Sequence, residues 1–287
     1  MLEALKHSLI ESLKLIPFLF LTYLFMEFLE HKAGEKTEKF IKRSGKLGPL
    51  VGSLFGAVPQ CGFSAAAAGL YSGRVITVGT LLAIFLSTSD EMLPMLISGN
   101  AGAGKILKIL GIKVIIAAFV GFCADAVLSL CVKEKEHVHI GEMCEDEHCH
   151  CEKGILRGAI SHTLKIAIFV FIISFALHFA MHEIGEDKIA AFIMSKPILS
   201  NVLAGVIGLI PNCAASIAIT TLYLDGLISA GAMLSGLLVG AGVGLLVLFR
   251  VNDKHKHNVL ILISLFLIGT VFGILFDLFG LGALMGI

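Results

Sequence analysis

Long stretches without charge are the feature that most constrains the fold of this chain. Residues 227–249 contain no charged side chain, and further apolar stretches occupy 15–30, 75–98, 114–132, 166–182 and 259–287. A helix needs about 20 apolar residues to cross the hydrocarbon layer of a bilayer. Because 56% of the 287 residues are hydrophobic and only 15% are charged, one soluble core could not bury the apolar surface. We therefore predict an all-α polytopic membrane protein in which 1–31 is a retained first helix.

An internal similarity is the second constraint. "GAVPQCGFSAAAAGLY" at 56–71 matches "GLIPNCAASIAITTLY" at 208–223 in its Pro, its Cys, a Ser three residues later and a final Leu-Tyr, at an offset of 152 residues. The same offset pairs Asp125 with Asp277. These matches predict two homologous repeats, 1–132 and 155–287, joined by a linker over 133–154.

Each repeat places a proline, Pro59 or Pro211, inside an apolar segment. Proline lacks an N–H and interrupts a helix, and broken backbone persists in a membrane only where protein or a water-filled cavity surrounds it. We expect a Pro-broken helix or a re-entrant hairpin in each repeat. If each repeat contains a hairpin, it crosses the membrane an odd number of times and the two repeats are inverted. If the proline only kinks a spanning helix, the two repeats are parallel. Six Lys or Arg in loop 31–46, against two in loop 183–197, favour inversion.

Duplicated halves with interrupted helices are typical of secondary transporters, whose sites lie between the repeats near the membrane midplane. The acidic pair in "STSDE" is expected near the middle of one helix over 75–98, where a charge is costly and so marks function. Two carboxylates beside hydroxyls suit a hard or borderline cation. The predicted substrate or metal pathway consists of Gln60, Cys61, Ser64, Asp90, Glu91, Asn212, Cys213 and Ser216.

Other ionisable residues form a predicted coupling or second site. The two aspartates are lone acids in apolar segments, and they either relay protons or are satisfied by Ser and backbone donors. In each of two further pairs, Glu27/His31 and His178/His182, the two residues are four apart on one helical face. This spacing lets the two side chains share a metal, and a solvated helix end is the alternative. The residues are Asp125, Asp277, Glu27, His31, His178 and His182.

The linker is rich in metal-binding side chains. Imidazole and thiolate together select borderline and soft cations such as Zn²⁺, but the spacing matches no closed zinc finger. We predict a flexible segment that concentrates metal ions and lies outside the translocation pathway. Its ligands are His137, His139, Cys144, His148, Cys149, His150 and Cys151.

These motifs resemble a family of ten-helix heavy-metal exporters, whose members are labelled arsenic efflux proteins or manganese transporters, and more distantly the organoarsenical permeases. The similarity lies in "VPQCGFSAAAAGLYSGRVITVGTLLAIFLSTSDEMLPML" at 58–96, in its echo from Ile210 and in the His-rich loop. The resemblance implies efflux of a metal or metalloid ion across a bacterial or archaeal inner (plasma) membrane. We rank Mn²⁺ or Zn²⁺ first, because carboxylate and imidazole suit them; arsenite or an organoarsenical is the alternative.

Several function classes are disfavoured. The chain carries no nucleotide-binding loop, so we expect coupling to an ion gradient, and it has neither H-E-x-x-H nor G-x-S-x-G, so we expect no enzyme and no catalytic cofactor. Balanced charge, with 22 basic and 22 acidic residues, disfavours nucleic acid. The expected partners are the metal ion and the bilayer, and a homodimer is compatible with the sequence. A metal-conducting channel or a metal-sensing membrane protein stays open.

Overall fold

Helices form every regular element of the described chain. The computed structural model describes residues 9–10, 13, 16–17, 19–24, 47–89, 92–131, 155–184 and 197–282. Residues 19–24 are helical. The later helices are α1 Gly48–Gly56, α2 Cys61–Ser72, α3 Val78–Ser87, α4 Met92–Ser98, α5 Ala103–Cys131, α6 Ile155–Ile184, α7 Pro197–Gly208, α8 Cys213–Leu224, α9 Ala230–Val239, α10 Val243–Val251 and α11 His255–Leu278. The all-α prediction is confirmed.

Four stretches within the described residues are long and apolar enough to cross a membrane. They are Val78–Ser98, Ala103–Leu130, Ala230–Val251 and His255–Leu278. Nearly all of α3 and all of α9 are buried. The long helices α5 and α11 instead expose large apolar side chains, including Phe119 and Leu267. Such side chains are stable in contact with lipid, so α3 and α9 form the centre of a membrane protein, and α5 and α11 form its periphery.

The chain reverses direction between α1 and α2. Helix α1 runs parallel to α3, because successive contacts pair Gly48 with Thr80, Gly52 with Ile84 and Gly56 with Ser87. Helix α2 must therefore lead back to the start of α3, and residues 57–60 form the tip of a hairpin. The rings of Phe55 and Phe63, one on each arm, lie 5.7 Å apart. Both arms and α3 line an apolar cavity of about 390 Å³.

Helices α7 and α8 form a second hairpin of the same kind. Ser235 Oγ on α9 donates to Asn201 O near the start of α7, at 2.7 Å. Further along, a methyl group on Gly236 would lie 2.9 Å from Ala204 O, and one on Gly240 would lie 3.7 Å from Gly208 O. Helix α7 thus runs parallel to α9, and α8 returns to the start of α9. Residues 209–212 form the tip.

Glycines allow the long helices to pack closely on the buried ones. A methyl group on Gly79 would lie 2.2 Å from Gly121 O, and one on Gly231 would lie 2.3 Å from Gly273 O. Only a residue without a side chain permits this backbone approach. Helix α5 is antiparallel to α3, because Gly79 lies against Asp125 and Ala83 lies against Gly121. Helix α11 is antiparallel to α9, because Ser235 lies against Gly273 and Val239 lies against Gly269.

The second arm of each hairpin packs against the other half of the chain. Helix α2 lies parallel to α10, since Ser64 contacts Gly244 and Ser72 Oγ donates to Val251 O at 2.6 Å. At the ends of α4 and α8, Gly99 packs against Leu224. The two halves are consequently interleaved, and neither forms a separate body.

The prediction of uninterrupted helices over 75–98 and 227–249 is wrong. The first ends at Ser87, where Thr88 leaves the helical conformation with a ψ of 126°, and helix resumes at Met92 with Pro94 in its first turn, where a missing N–H costs no intrahelical bond. The second ends at Val239 and resumes at Val243, where Gly242 adopts a φ of 55°, a conformation that favours glycine. Helix α5 also begins at Ala103, well before the predicted boundary at residue 114.

Candidate functional site

The interrupted spans approach each other inside the protein at a buried lysine. The Nζ of Lys113, on α5, donates hydrogen bonds to Thr88 O and, at 3.0 Å, to Leu237 O. Thr88 is the C-cap of α3, and Leu237 lies in the last turn of α9. We call Lys113, Thr88 and Leu237 the central junction. It joins the C-terminal ends of two helices that are far apart in sequence.

The surroundings of Lys113 suit a positive charge. Its side chain is 0% exposed, and a charge buried at membrane depth needs compensation. The last four carbonyls of a helix lack intrahelical partners, and each C-terminus carries roughly half a negative charge. The carbonyls of Thr88 and Leu237 meet both requirements. The junction therefore combines charge balance with hydrogen bonding.

Hydroxyl groups at the first interruption stabilise the end of α3. Ser87 Oγ donates to Ala83 O at 2.8 Å, and Thr88 Oγ1 donates to Ile84 O at 2.8 Å. Ser89 Oγ donates to Ser87 O at 2.9 Å, and all three hydroxyl residues are buried. Each hydroxyl oxygen keeps lone pairs that can accept a hydrogen bond or bind a cation.

The hairpin tips present the N-terminal ends of α2 and α8. Gln60 and Asn212 are the N-caps and have extended backbone. Asn212 is buried, and its Oδ1 accepts from the Ala214 N–H at 3.0 Å. Cys213, the next residue, is also buried. Because Gly56 packs against Ser87, the first tip lies at the depth of the first interruption.

Two predicted serines lie beside the second interruption. Ser64, on α2, is buried against Gly244 at the start of α10. Ser216, on α8, lies beside Gly240, where an added methyl group would be 3.9 Å from its Oγ. The structure thus brings serines from both hairpins to the second interrupted span.

Asp125 and Asp277 anchor the starts of the two buried helices. Asp125 accepts from Thr77 Oγ1 at 2.7 Å and from the Gly79 N–H at 2.8 Å. Asp277 accepts from Ser229 Oγ at 2.6 Å, the Gly231 N–H at 2.8 Å and Asn201 Nδ2 at 2.8 Å. A carboxylate at a helix N-terminus is favourable. These contacts match the alternative in which hydroxyl and backbone donors satisfy the two aspartates. A role in proton coupling stays a prediction.

Several predicted site residues lie outside the described part of the structure. They are Glu27, His31, Asp90, Glu91 and the linker ligands His137, His139, Cys144, His148, Cys149, His150 and Cys151. The side chains of Cys61, His178 and His182 lie outside it too. Among the described residues, no three His, Cys, Asp or Glu side chains form a group that could hold a metal.

Lys113 is not among the site residues predicted from the sequence. The apolar stretch predicted to span the membrane begins at residue 114, which leaves the lysine just outside it. The observed helix begins at Ala103, so Lys113 lies well within it. The signal was present in "ILKILGIKVII" at 106–116, where apolar residues flank Lys113 on both sides.

Comparison of the chain with family models, with curated proteins and with solved structures finds no match. The function is therefore inferred from the central junction and from the sequence.

Proposed function

We propose that this protein is a secondary transporter that exports a divalent transition-metal ion, of the Mn²⁺ or Zn²⁺ type, across a bacterial or archaeal plasma membrane. The central junction carries this proposal. Two membrane-crossing segments lose their helical hydrogen bonding there and direct carbonyl groups at a common point. Irregular backbone at membrane depth is tolerated inside protein or along a pathway, and paired discontinuous helices are typical of ion-coupled transporters.

Alternating access would follow from two inverted repeats. Contacts at Asp125 recur at Asp277 with the same offset of 152 residues that relates the two sequence motifs. Helix α2 runs antiparallel to α3 and parallel to α10. These directions support our proposal of inverted repeats, in which the span formed by α9 and α10 would run opposite to the span formed by α3 and α4.

The cation would be held beside the first interruption. Asp90 and Glu91 follow Ser89 directly in the sequence, so their carboxylates come from the segment between α3 and α4. A dication that leaves water needs nearby negative charge. The hairpin residues Gln60, Cys61, Asn212 and Cys213 would complete the pathway. The predicted coupling residues would link export of the metal to the ion gradient; they are Asp125, Asp277 and the pairs Glu27/His31 and His178/His182. The linker would raise the local metal concentration.

Flux into proteoliposomes tests this function. The panel is Mn²⁺, Zn²⁺, Co²⁺, Ni²⁺, Cu²⁺, arsenite and methylarsenite, with and without a pH gradient. We expect saturable, gradient-dependent flux of a divalent metal. Asp90→Asn and Glu91→Gln should each abolish it, because a neutral isostere removes the charge and keeps the shape. Asp225→Asn, in the exposed turn after α8, is the matched control and should transport normally.

Other outcomes would redirect the assignment. Wild-type flux in both acidic variants would move the cation site elsewhere, with the Glu27/His31 and His178/His182 pairs examined next. Unsaturable flux without gradient dependence would indicate a channel. Selective arsenite or methylarsenite flux would indicate metalloid export.

A further inference from the structure

Lys113 occupies a position that resembles an ion site. Its amino group lies between carbonyl oxygens from two different helices, Thr88 O and Leu237 O. Main-chain carbonyls at the C-terminal ends of discontinuous helices are ligands for monovalent cations such as Na⁺. The position 152 residues later is Leu265, which is fully buried and apolar. At this pair of equivalent positions, the first repeat therefore has a cationic side chain and the second has an apolar one.

The two helix ends at the junction attract positive charge. Two helix C-termini, each with roughly half a negative charge, together offset about one positive charge. An ammonium group supplies that charge and donates to carbonyls that the helices leave unpaired. Removal of the ammonium would leave these buried carbonyls without a donor, which is costly in a membrane interior.

We propose that the C-terminal ends of α3 and α9 form a monovalent-cation site, and that Lys113 fills it as a tethered cation. The amino group ties the two interrupted spans together through Thr88 O and Leu237 O. A small free cation should substitute for it once the side chain is shortened. This inference concerns the integrity of the junction and stands whether or not the cargo is a transition metal.

The test is cation-dependent stability of Lys113→Ala in detergent solution. Unfolding is followed with Na⁺, K⁺, ammonium or methylammonium at constant ionic strength, and choline serves as the cation too large for the site. We expect a saturable rise in melting temperature of about 5–10 °C at a hundredfold excess over the dissociation constant. The wild type and Lys108→Ala, an exposed lysine on the same helix, should show no such rise.

A second variant keeps the test decisive if Lys113→Ala is poorly folded. Lys113→Gln retains an amide N–H donor group and removes the charge, so a small cation should stabilise it as well. The yield of folded protein in ammonium relative to choline is measured for both variants. Equal yields and equal melting temperatures in the two media would overturn the proposal, as would an identical cation response in Lys108→Ala.

Discussion

The unequal anchoring of α3 and α9 gives a quantitative prediction. Asp277→Ala should destabilise the protein more than Asp125→Ala, although the two aspartates occupy equivalent positions. The Asp277 carboxylate accepts three hydrogen bonds, including one from Asn201 Nδ2 at 2.8 Å. The Asp125 carboxylate accepts two. The third bond ties the start of α7 to α11 and has no counterpart in the first half among the described contacts.

The expected difference follows from the extra bond. Hydrogen bonds to a charged group contribute about 1.5–3 kcal/mol each. Each substitution also removes a carboxylate from a helix N-terminus, but this loss is similar on both sides and cancels in the comparison. Asp277→Ala should therefore lower the free energy of unfolding by about 1.5 kcal/mol more than Asp125→Ala, roughly a tenfold change in the equilibrium constant.

Equilibrium unfolding in mixed micelles of a mild detergent and SDS measures this difference. Ser129→Ala, in an exposed position one turn after Asp125, is the control for a change on a long helix without loss of an anchor. Asn201→Ala should cost more in the wild type than in the Asp277→Ala background, because the partner carboxylate is then absent. Equal losses for the two aspartates, or an equal cost of Asn201→Ala in both backgrounds, would refute the reasoning.

Two further predictions concern packing and topology. Gly244→Ala should cost about 1–3 kcal/mol of stability and impair transport, because the added methyl group would lie 2.6 Å from Ser64 Cβ. Gly111→Ala is the control: its methyl group would meet no neighbouring element within 4 Å, so it should not destabilise the protein or reduce flux in the same assays. In a cysteine-free background, accessibility labelling should place Arg74→Cys and Asp253→Cys on one face of the membrane, and Asn100→Cys and Asp225→Cys on the other. Labelling of Arg74→Cys and Asp225→Cys from one side would favour parallel repeats instead.

The sequence by itself determined the class of the protein and the positions of its strongest local signals. Hydropathy is a local property, so apolar runs predicted the helices at α5, α9 and α11 before any contact was known. The two Pro-x-Cys segments lie between helices, as proline chemistry requires, because Pro59 and Pro211 cannot complete a helical hydrogen bond. The offset of 152 residues also paired Asp125 with Asp277, whose contacts match.

Only the tertiary structure decided where the central spans stop and what meets there. An apolar run has the same hydropathy whether its helix continues or breaks at Gly242. The break is possible because other parts of the chain donate to carbonyls that the helix leaves unpaired, as Lys113 does to Leu237 O. The partners of Lys113 are main-chain atoms, and every residue type carries a carbonyl, so no sequence signal marks Leu237 as its neighbour 124 residues away. The direction of each hairpin arm likewise follows from contacts such as Ser64 with Gly244, because packing between distant helices fixes it and local sequence does not.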